Sequence, residues 1–361
     1  MNKPIYFSGL NGIRAIASII VVIWHTDQFS KLFGLPLLGF HSNGMAGKAV
    51  DMFFVLSGFL ITYLLFKEKE KINTINLKKF YLRRILRIWP LYYLAIIISI
   101  FLVVINVVPN TSNLASSTSL YVFLLANVAY LSNLAISSIT PLWSVGVEEQ
   151  FYLIWPNIIK YSTKYIQVIL MFFFGFLLLK LAIYLFLTPD SFLYHFLQIT
   201  RIDVMAIGAI GAYLVHTKHK VLKLFYSPII ELSSWAVLFI SIFYYPIHLS
   251  SFIDSELNAI FYLIIILNVS TNSKKIISLE NKVFNFLGKI SYGLYIYHMI
   301  ILYSLSSILS YFNIQINHSI LFSSILLLTI IVSSLSYSFF EKPFLTIKHK
   351  FTVIKSSNTS S

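Results

Sequence analysis

The chain has 361 residues, of which 58% are apolar, 17% aromatic and only 11% charged. With a mean hydropathy of +0.80, this composition excludes a soluble globular domain and predicts a polytopic helical membrane protein. There is no cysteine, which excludes disulfides and thiolate chemistry. The net charge of +14 comes from Lys and Arg in short loops between apolar runs. This distribution indicates membrane orientation and no nucleic-acid partner.

Ten apolar stretches are long enough to span a bilayer. They cover residues 11–30, 48–66, 86–107, 146–160, 165–187, 202–217, 228–246, 257–270, 289–310 and 319–339. Basic clusters between these stretches are expected on the cytoplasmic side, so the chain must cross the membrane an even number of times between Arg87 and Lys160. We therefore expect an all-α bundle of about ten transmembrane helices with both termini cytoplasmic, and we expect segment 119–135 to be a re-entrant or interfacial helix.

The first stretch carries two ionisable residues, Arg14 and His25. A separation of eleven residues is close to three helical turns, so both side chains project from one face, about 16 Å apart along the axis. The rest of this helix is strongly apolar, which predicts that the polar face lies against protein or a water-filled cavity. The alternative is an arginine that extends to the lipid headgroups and a histidine packed in the bundle.

Other ionisable side chains lie in the stretches or at their ends, and together they predict an interior polar site. They are Asp27, Asp51, Glu148, Glu149, Lys180, Arg201, Asp203 and His298. We expect Arg201 and Asp203 to neutralise other charges of the bundle, and Lys180 to extend its amine towards the outer face. His298 is either a hydrogen-bonded packing residue or a member of the site.

Two further patterns predict contacts with a ligand. Ser57-Gly58 in the second stretch lets another helix or a ligand approach the backbone closely. Arg84 and Arg87 lie three residues apart on one helical face at the cytoplasmic rim, where guanidinium groups can hold phosphate oxygens. Positive charge at this rim is also explained by membrane orientation alone.

The segment PLWSVGVEEQFYLIWP places two carboxylates, Glu148 and Glu149, at the start of a span. The N-terminal end of a helix favours negative charge, so helix capping is one interpretation. The other is polar contact with an acceptor sugar, for which Trp143 or Tyr152 would be a stacking platform.

Seven segments, in order, resemble the acyltransferase family 3 of integral membrane proteins over almost the whole chain. They are GLNGIRAIASIIVVIWH, VDMFFVLSGFLIT, RRILRIWPLYYL, WSVGVEEQFYLIWP, RIDVMAIGAIGA, LGKISYGLYIYH and SYSFFEKPF. The hallmark of the family is an arginine and a histidine separated by ten residues, which correspond to Arg14 and His25. Asn11 stands where the family usually has an aspartate.

The resemblance implies an enzyme that moves an acetyl or other short acyl group from cytosolic acyl-CoA to a hydroxyl of a cell-surface saccharide, such as lipopolysaccharide or exopolysaccharide. It implies a transmembrane domain over residues 1–345 in the bacterial cytoplasmic membrane and a partly disordered cytoplasmic tail over 346–361. Acyl-CoA would be a co-substrate, a lipid-linked or surface saccharide the acceptor, and membrane lipids the surroundings, with no bound cofactor and no metal. We expect this chain to act without the fused periplasmic domain that many relatives carry.

Under this hypothesis His25 is the general base or a transient acyl carrier, and Arg14 orients the donor. The expected donor-binding residues are Arg83, Arg84, Arg87, Ser57 and Gly58. The expected acceptor or supporting residues are Asp27, Asp51, Trp143, Glu148, Glu149, Tyr152, Arg201, Asp203, Tyr292 and His298. Asp27 or one of the two adjacent glutamates would orient the imidazole.

Two other classes of protein compete with the enzyme. A polysaccharide exporter of the inner membrane would have a continuous polar pathway and no dependence on acyl-CoA, but it explains the Arg14/His25 spacing poorly. A non-catalytic sensor or assembly protein is favoured by no feature of the sequence.

Overall fold

The computed structural model describes residues 5–39, 44–188, 191–244, 249 and 252–354, and over these ranges the architecture is all-helical. The helices of fifteen or more residues are α1 (Leu10–Gln28), α2 (Met45–Ile72), α3 (Leu77–Val104), α6 (Leu142–Tyr161), α7 (Tyr165–Phe186), α9 (Ile202–His216), α11 (Pro228–Phe243), α12 (Asp254–Thr271), α14 (Ser291–Tyr311) and α15 (His318–Ser336). The shorter helices are α4 (Leu114–Val122), α5 (Ala126–Leu131), α8 (Phe192–Thr200), α10 (Leu222–Phe225), α13 (Lys282–Lys289) and α16 (Lys342–His349).

Six helical segments within the described ranges are long and apolar enough to cross a membrane. They are α2, α3, α7, the α8–α9 pair, α14 and the continuous segment from α15 to α16. These segments confirm the helical membrane architecture that the composition predicts. The count of ten spans and the side on which the termini lie stay predictions.

The segment expected as one re-entrant or interfacial helix over 119–135 is divided in two. Helix α4 ends at Val122 and α5 begins at Ala126. Between them Leu124 adopts the left-handed backbone conformation with φ 61°, which a regular helix cannot contain. The expectation of a single helix here is therefore wrong.

Helices α2 and α9 form the most extensive helix pair of the bundle, because glycines allow their backbones to touch. A Cβ added to Gly58 would lie 1.9 Å from the carbonyl oxygen of Met205, and one added to Gly208 would lie 2.1 Å from that of Val55. The contact fixes α2, and with it the face of α2 that carries Ser57.

The start of α1 is held by a loop that precedes α13. The backbone N–H of Gly9 donates to Glu280 Oε2 at 2.5 Å, and the Tyr6 hydroxyl donates to the same carboxylate. Burial raises the pKa of Glu280, but hydrogen bonds from Tyr6 and Asn285 outweigh this effect and lower it below its usual value. A Cβ on Gly288 would lie 2.2 Å from the Asn11 carbonyl oxygen, so α13 packs directly on the α1 backbone. Arg14, one turn further on, is thereby held in place.

The C-terminal end of α15 continues through a π-helical turn, Tyr337–Glu341, into α16. Helical structure therefore extends past residue 345, where the sequence predicted the domain to end, as far as His349. The residues that follow dock on the α2–α3 turn, because Arg83 Nη1 and Lys71 Nζ donate to the carbonyl oxygens of Phe351 and Val353, each at 3.0 Å.

Candidate active site

A cavity of about 510 Å³ opens among α1, α2, α3, α6, α13, α14 and α16. Within the described ranges its lining includes six Lys and Arg side chains and two glutamates: Arg14, Arg84, Arg87, Lys289, Lys342, Lys348, Glu148 and Glu341. The lining is otherwise mostly apolar and aromatic, with Phe53, Phe54 and Tyr295 among its members. An excess of cations in a confined, largely apolar space favours an anionic ligand with an apolar portion.

Arg14 faces this cavity from α1. Its Nη1 donates to Asn11 Oδ1 at 3.2 Å, and Asn11 Nδ2 donates to Asn285 Oδ1 at 3.2 Å. The neutral amide at position 11, where the related family usually has a carboxylate, orients the guanidinium without cancelling its charge. None of the ion pairs found in the described part of the chain involves Arg14.

Arg84 and Arg87 also line the cavity, whereas Arg83 does not. The Arg84 guanidinium lies over the rings of Phe80 and Tyr152, at 5.7 and 5.6 Å from their centroids. Its buried Nε has no hydrogen-bond partner in the described part of the chain. Arg83 instead pairs with the buried carboxylate of Glu68 at 3.0 Å. The structure thus separates Arg83 from the two arginines with which the sequence grouped it.

Only one of the two adjacent glutamates faces the cavity, since neighbouring helical positions point in different directions. Glu148 lines it and accepts hydrogen bonds from Ser57 Oγ at 2.9 Å and from the Tyr152 hydroxyl at 3.0 Å. Glu149 lies outside the lining and accepts from Trp89 Nε1 at 3.0 Å. Ser57, Glu148 and Tyr152 therefore form one polar wall of the cavity.

Two other candidates pack elsewhere. Trp143 lies against Phe54 and Tyr130, with ring centroids 6.3 and 6.1 Å apart, and Gly58 is pressed against α9. Neither residue lines the cavity. Tyr292, by contrast, does line it, and its hydroxyl donates to the Ile88 carbonyl oxygen at 3.0 Å.

His25 contacts His298 at the far end of α1 from the cationic residues. His25 Nδ1 lies 3.2 Å from His298 Nε2 and 3.0 Å from the Val21 carbonyl oxygen, and His298 Nδ1 lies 3.2 Å from the Leu294 carbonyl oxygen. Neither histidine lines the cavity, but the His298 ring is 6.0 Å from the ring of Tyr295, which does line it. Over the described ranges, no group of three His, Asp or Glu side chains is placed to hold a metal ion.

The carboxylates expected to orient His25 make other hydrogen bonds. Asp27 accepts from the Leu38 backbone N–H at 2.7 Å, and the two adjacent glutamates are engaged on α2 and α3. Among the described residues, the side chain of His298, 273 positions away in the sequence, lies within hydrogen-bonding distance of His25. The sequence left open whether His298 packs or belongs to the site, and the structure places it beside His25.

A separate group of buried charges lies where α2, α7, α9 and α12 meet. Arg201 Nη1 pairs with Asp51 Oδ1 at 2.7 Å, which agrees with the expected neutralisation. Lys180 is 4% exposed and pairs with Asp203 Oδ2 at 3.1 Å and with Glu256. The expectation that Lys180 extends towards the outer face is therefore wrong, because two carboxylates hold its amine inside the bundle. None of these residues lines the cavity.

Sequence reasoning missed the contribution of α16 and of the turn before it. Tyr337, Glu341, Lys342 and Lys348 all line the cavity. The segment SYSFFEKPF had indicated a family resemblance, but no role was assigned to its residues. The π-helical turn that places these residues is of a kind frequent at functional sites, but the sequence does not reveal it.

Comparison with known proteins identifies the family of the chain. Residues 7–338 match the family model described as "Acyltransferase domain". The relatives include a Staphylococcus aureus (strain COL) protein named "Putative O-acetyltransferase", 30% identical over 95% of this chain, and the O-acetyltransferase OatA of S. aureus (strain NCTC 8325), 29% identical over 95% of it. The chain spans 58% of the length of both. No solved structure matches the chain.

The chain therefore belongs to the acyltransferase domain family, which confirms the resemblance drawn from the seven segments and the expected class of enzyme, an acyltransferase.

Proposed function

We propose that this protein is a membrane-bound O-acetyltransferase that takes an acetyl or other short acyl group from cytosolic acyl-CoA and transfers it to a hydroxyl of a cell-surface saccharide in the bacterial cytoplasmic membrane. The observation that carries the proposal is the cation-lined cavity together with the His25/His298 pair, which lies behind Tyr295 of the cavity lining. The names of the S. aureus relatives support acetyl transfer to oxygen.

The orientation belongs to the same proposal. Each of the ten predicted stretches contains one long helix, and ten crossings put both termini in the cytoplasm. The α2–α3 turn, which is flanked by the densest basic cluster, is then cytoplasmic, and so is the mouth of the cavity beside Arg84 and Arg87. The end of α1 that carries His25 points towards the outer side.

The donor would bind with its phosphates at this mouth. Arg84 and Arg87 present guanidinium groups that can each form two parallel hydrogen bonds to phosphate oxygens. Arg14, further along α1, is placed to hold the pantetheine portion or the thioester carbonyl. The apolar inner end, with Phe53 and Tyr295, would take the acyl group.

The hydrogen bonds around His25 support a general base. If His298 Nδ1–H donates to the Leu294 carbonyl oxygen, His298 Nε2 is left as an acceptor for His25 Nδ1–H. His25 Nε2 then carries the free lone pair. It takes the proton of the acceptor hydroxyl as the hydroxyl oxygen attacks the thioester carbonyl. The carbon–sulfur bond then breaks, and the CoA thiolate leaves with the proton from His25.

An acyl group that enters from the cavity meets Tyr295 before it meets the histidines. The Tyr295 hydroxyl donates to the Pro141 carbonyl oxygen at 3.0 Å and lies 2.7 Å from Ser144 Oγ. Transfer would require this side chain to rotate aside, so that the thioester and the acceptor hydroxyl meet next to His25.

The test is mass spectrometry of surface glycans from cells that lack the chain and carry either the unaltered protein or His25→Ala. We expect O-acetyl groups that require both the protein and His25. The matched control is His195→Ala, because His195 is exposed and remote from the cavity lining. Acetylation that survives His25→Ala would remove His25 from the reaction, and glycans that change in amount but never in acylation would favour the exporter.

A further inference from the structure

The C-terminal helix α16 packs against α3 and forms one wall of the cation-lined cavity. Lys348 and Lys342 face the cavity from α16, as does the carboxylate of Glu341 in the turn before it. Lys348 lies within electrostatic range of Arg14, Arg84 and Arg87. Bringing four cations together is unfavourable unless an anion neutralises them.

The position of this wall is fixed by residues that do not line the cavity. Arg83, paired with Glu68, donates to the Phe351 carbonyl oxygen, and Lys71 donates to that of Val353. Glu68 is 2% exposed and also accepts from the Asn76 backbone N–H at 2.9 Å, within the α2–α3 turn. The docking contacts explain why Arg83 is not available to a ligand.

We propose that Lys348 is a donor-binding residue that contacts a phosphate of the acyl donor, and that the Arg83 docking contacts hold α16 in position for this. The inference rests on the proposed function, because it takes the cavity to be the donor site. It adds a phosphate-binding residue from α16 to the Arg84/Arg87 pair of α3. Glu341, on the same wall, would partly offset the charge of the cations when the donor is absent.

The experiment is a binding titration of the purified full-length chain in zwitterionic nanodiscs, with acetyl-CoA and, in parallel, with acetyl-pantetheine, which lacks the nucleotide and its phosphates. Lys348→Ala should weaken acetyl-CoA binding by about tenfold, the value of a charge-assisted hydrogen bond, and leave acetyl-pantetheine binding unchanged. Lys348→Arg should retain most of the affinity. Lys350→Ala is the matched control, because Lys350 is exposed and outside the cavity lining.

Each other outcome overturns a defined part of the inference. Acetyl-CoA affinity unchanged in Lys348→Ala would show that α16 is a wall without a phosphate contact, while the proposed function would stand. An equal loss for both ligands would mean that Lys348 supports the fold of α16 and not the phosphate. No binding of acetyl-CoA by the unaltered protein would overturn the donor assignment itself. Nanodiscs that contain anionic lipid test the competing ligand: if such lipid abolished the effect of Lys348→Ala, the lysine would bind lipid phosphate.

Discussion

At the scale of single residues, His25 Nδ1 contacts both the Val21 carbonyl oxygen and His298 Nε2, which leaves His25 Nε2 as the nitrogen that would act on a substrate under the proposed function. The contact of His25 with His298 at 3.2 Å joins α1 to α14, and the Leu294 carbonyl oxygen lies within hydrogen-bonding distance of His298 Nδ1. Under the proposed function, a neutral imidazole would here have the orienting role that a carboxylate has in many catalytic triads. Neither histidine lines the cavity. The proposed role of His298 is to position His25, because its two ring nitrogens contact His25 Nδ1 and the Leu294 carbonyl oxygen.

This assignment predicts a specific kinetic effect of His298→Ala. The maximal rate of acetyl transfer should fall by roughly 100-fold, since His25 would lose the side chain that helps to hold its ring in place, while the KM for acetyl-CoA should stay close to that of the unaltered protein. His298→Gln should retain more activity, because its side-chain oxygen can accept the same hydrogen bond. Initial rates over a range of acetyl-CoA concentrations measure both constants. A raised KM with an unchanged maximal rate would place His298 in donor binding instead.

At the scale of elements, apolar length and basic loops predicted where the helices lie, because these signals are local. They could not predict the break at Leu124, which depends on how α4 and α5 pack. Nor could they separate Arg83 from Arg84, since the two arginines differ only in their tertiary surroundings. Arg83 lies against Glu68, whereas Arg84 lines the cavity.

The same limit applies to the candidate site. The sequence predicts that Arg14 and His25 lie on one face of α1, because this follows from helical periodicity. The contact of His25 with His298 joins residues at opposite ends of the chain and required the fold. For Gly58 the sequence offered helix packing or ligand approach, and only its position against Met205 distinguishes the two.

The contact between α2 and α9 predicts that Gly58 does not tolerate a side chain. Gly58→Ala would put a methyl group 1.9 Å from a backbone oxygen, and the displacement needed should cost about 1–3 kcal/mol in stability. Gly175→Ala, within α7, is the control, because nothing lies within 4 Å of the added carbon. Thermal unfolding of the detergent-solubilised proteins compares the two. Equal stability of both variants would contradict the close approach of α2 and α9.

At the scale of the whole molecule, the cationic residues of the cavity come from α1, α3, α13 and α16, which are far apart in the sequence. A ligand that contacts all of them joins the two ends of the chain. We therefore expect acetyl-CoA to raise the unfolding temperature of the solubilised protein, because a ligand that binds only the folded state stabilises it.

The cavity also predicts how the free product binds. CoA without its acetyl group keeps every phosphate, and the acetyl group adds only a small apolar contact, so the dissociation constants of CoA and acetyl-CoA should agree within about tenfold. Inhibition of acetyl transfer by added CoA, competitive with acetyl-CoA, measures this. CoA that failed to inhibit at concentrations well above the KM for acetyl-CoA would contradict donor binding through the phosphates.

A site that binds the part common to acetyl-CoA and CoA cannot distinguish the two by affinity alone. The fraction of sites that hold acetyl-CoA then follows the cytosolic ratio of acetyl-CoA to CoA more closely than the concentration of either. Modification of the cell surface would slow when the cell's acetyl supply falls, without any separate regulatory site. The lysines and arginines around the cavity would in this way couple the chemistry of the envelope to the metabolic state of the cell.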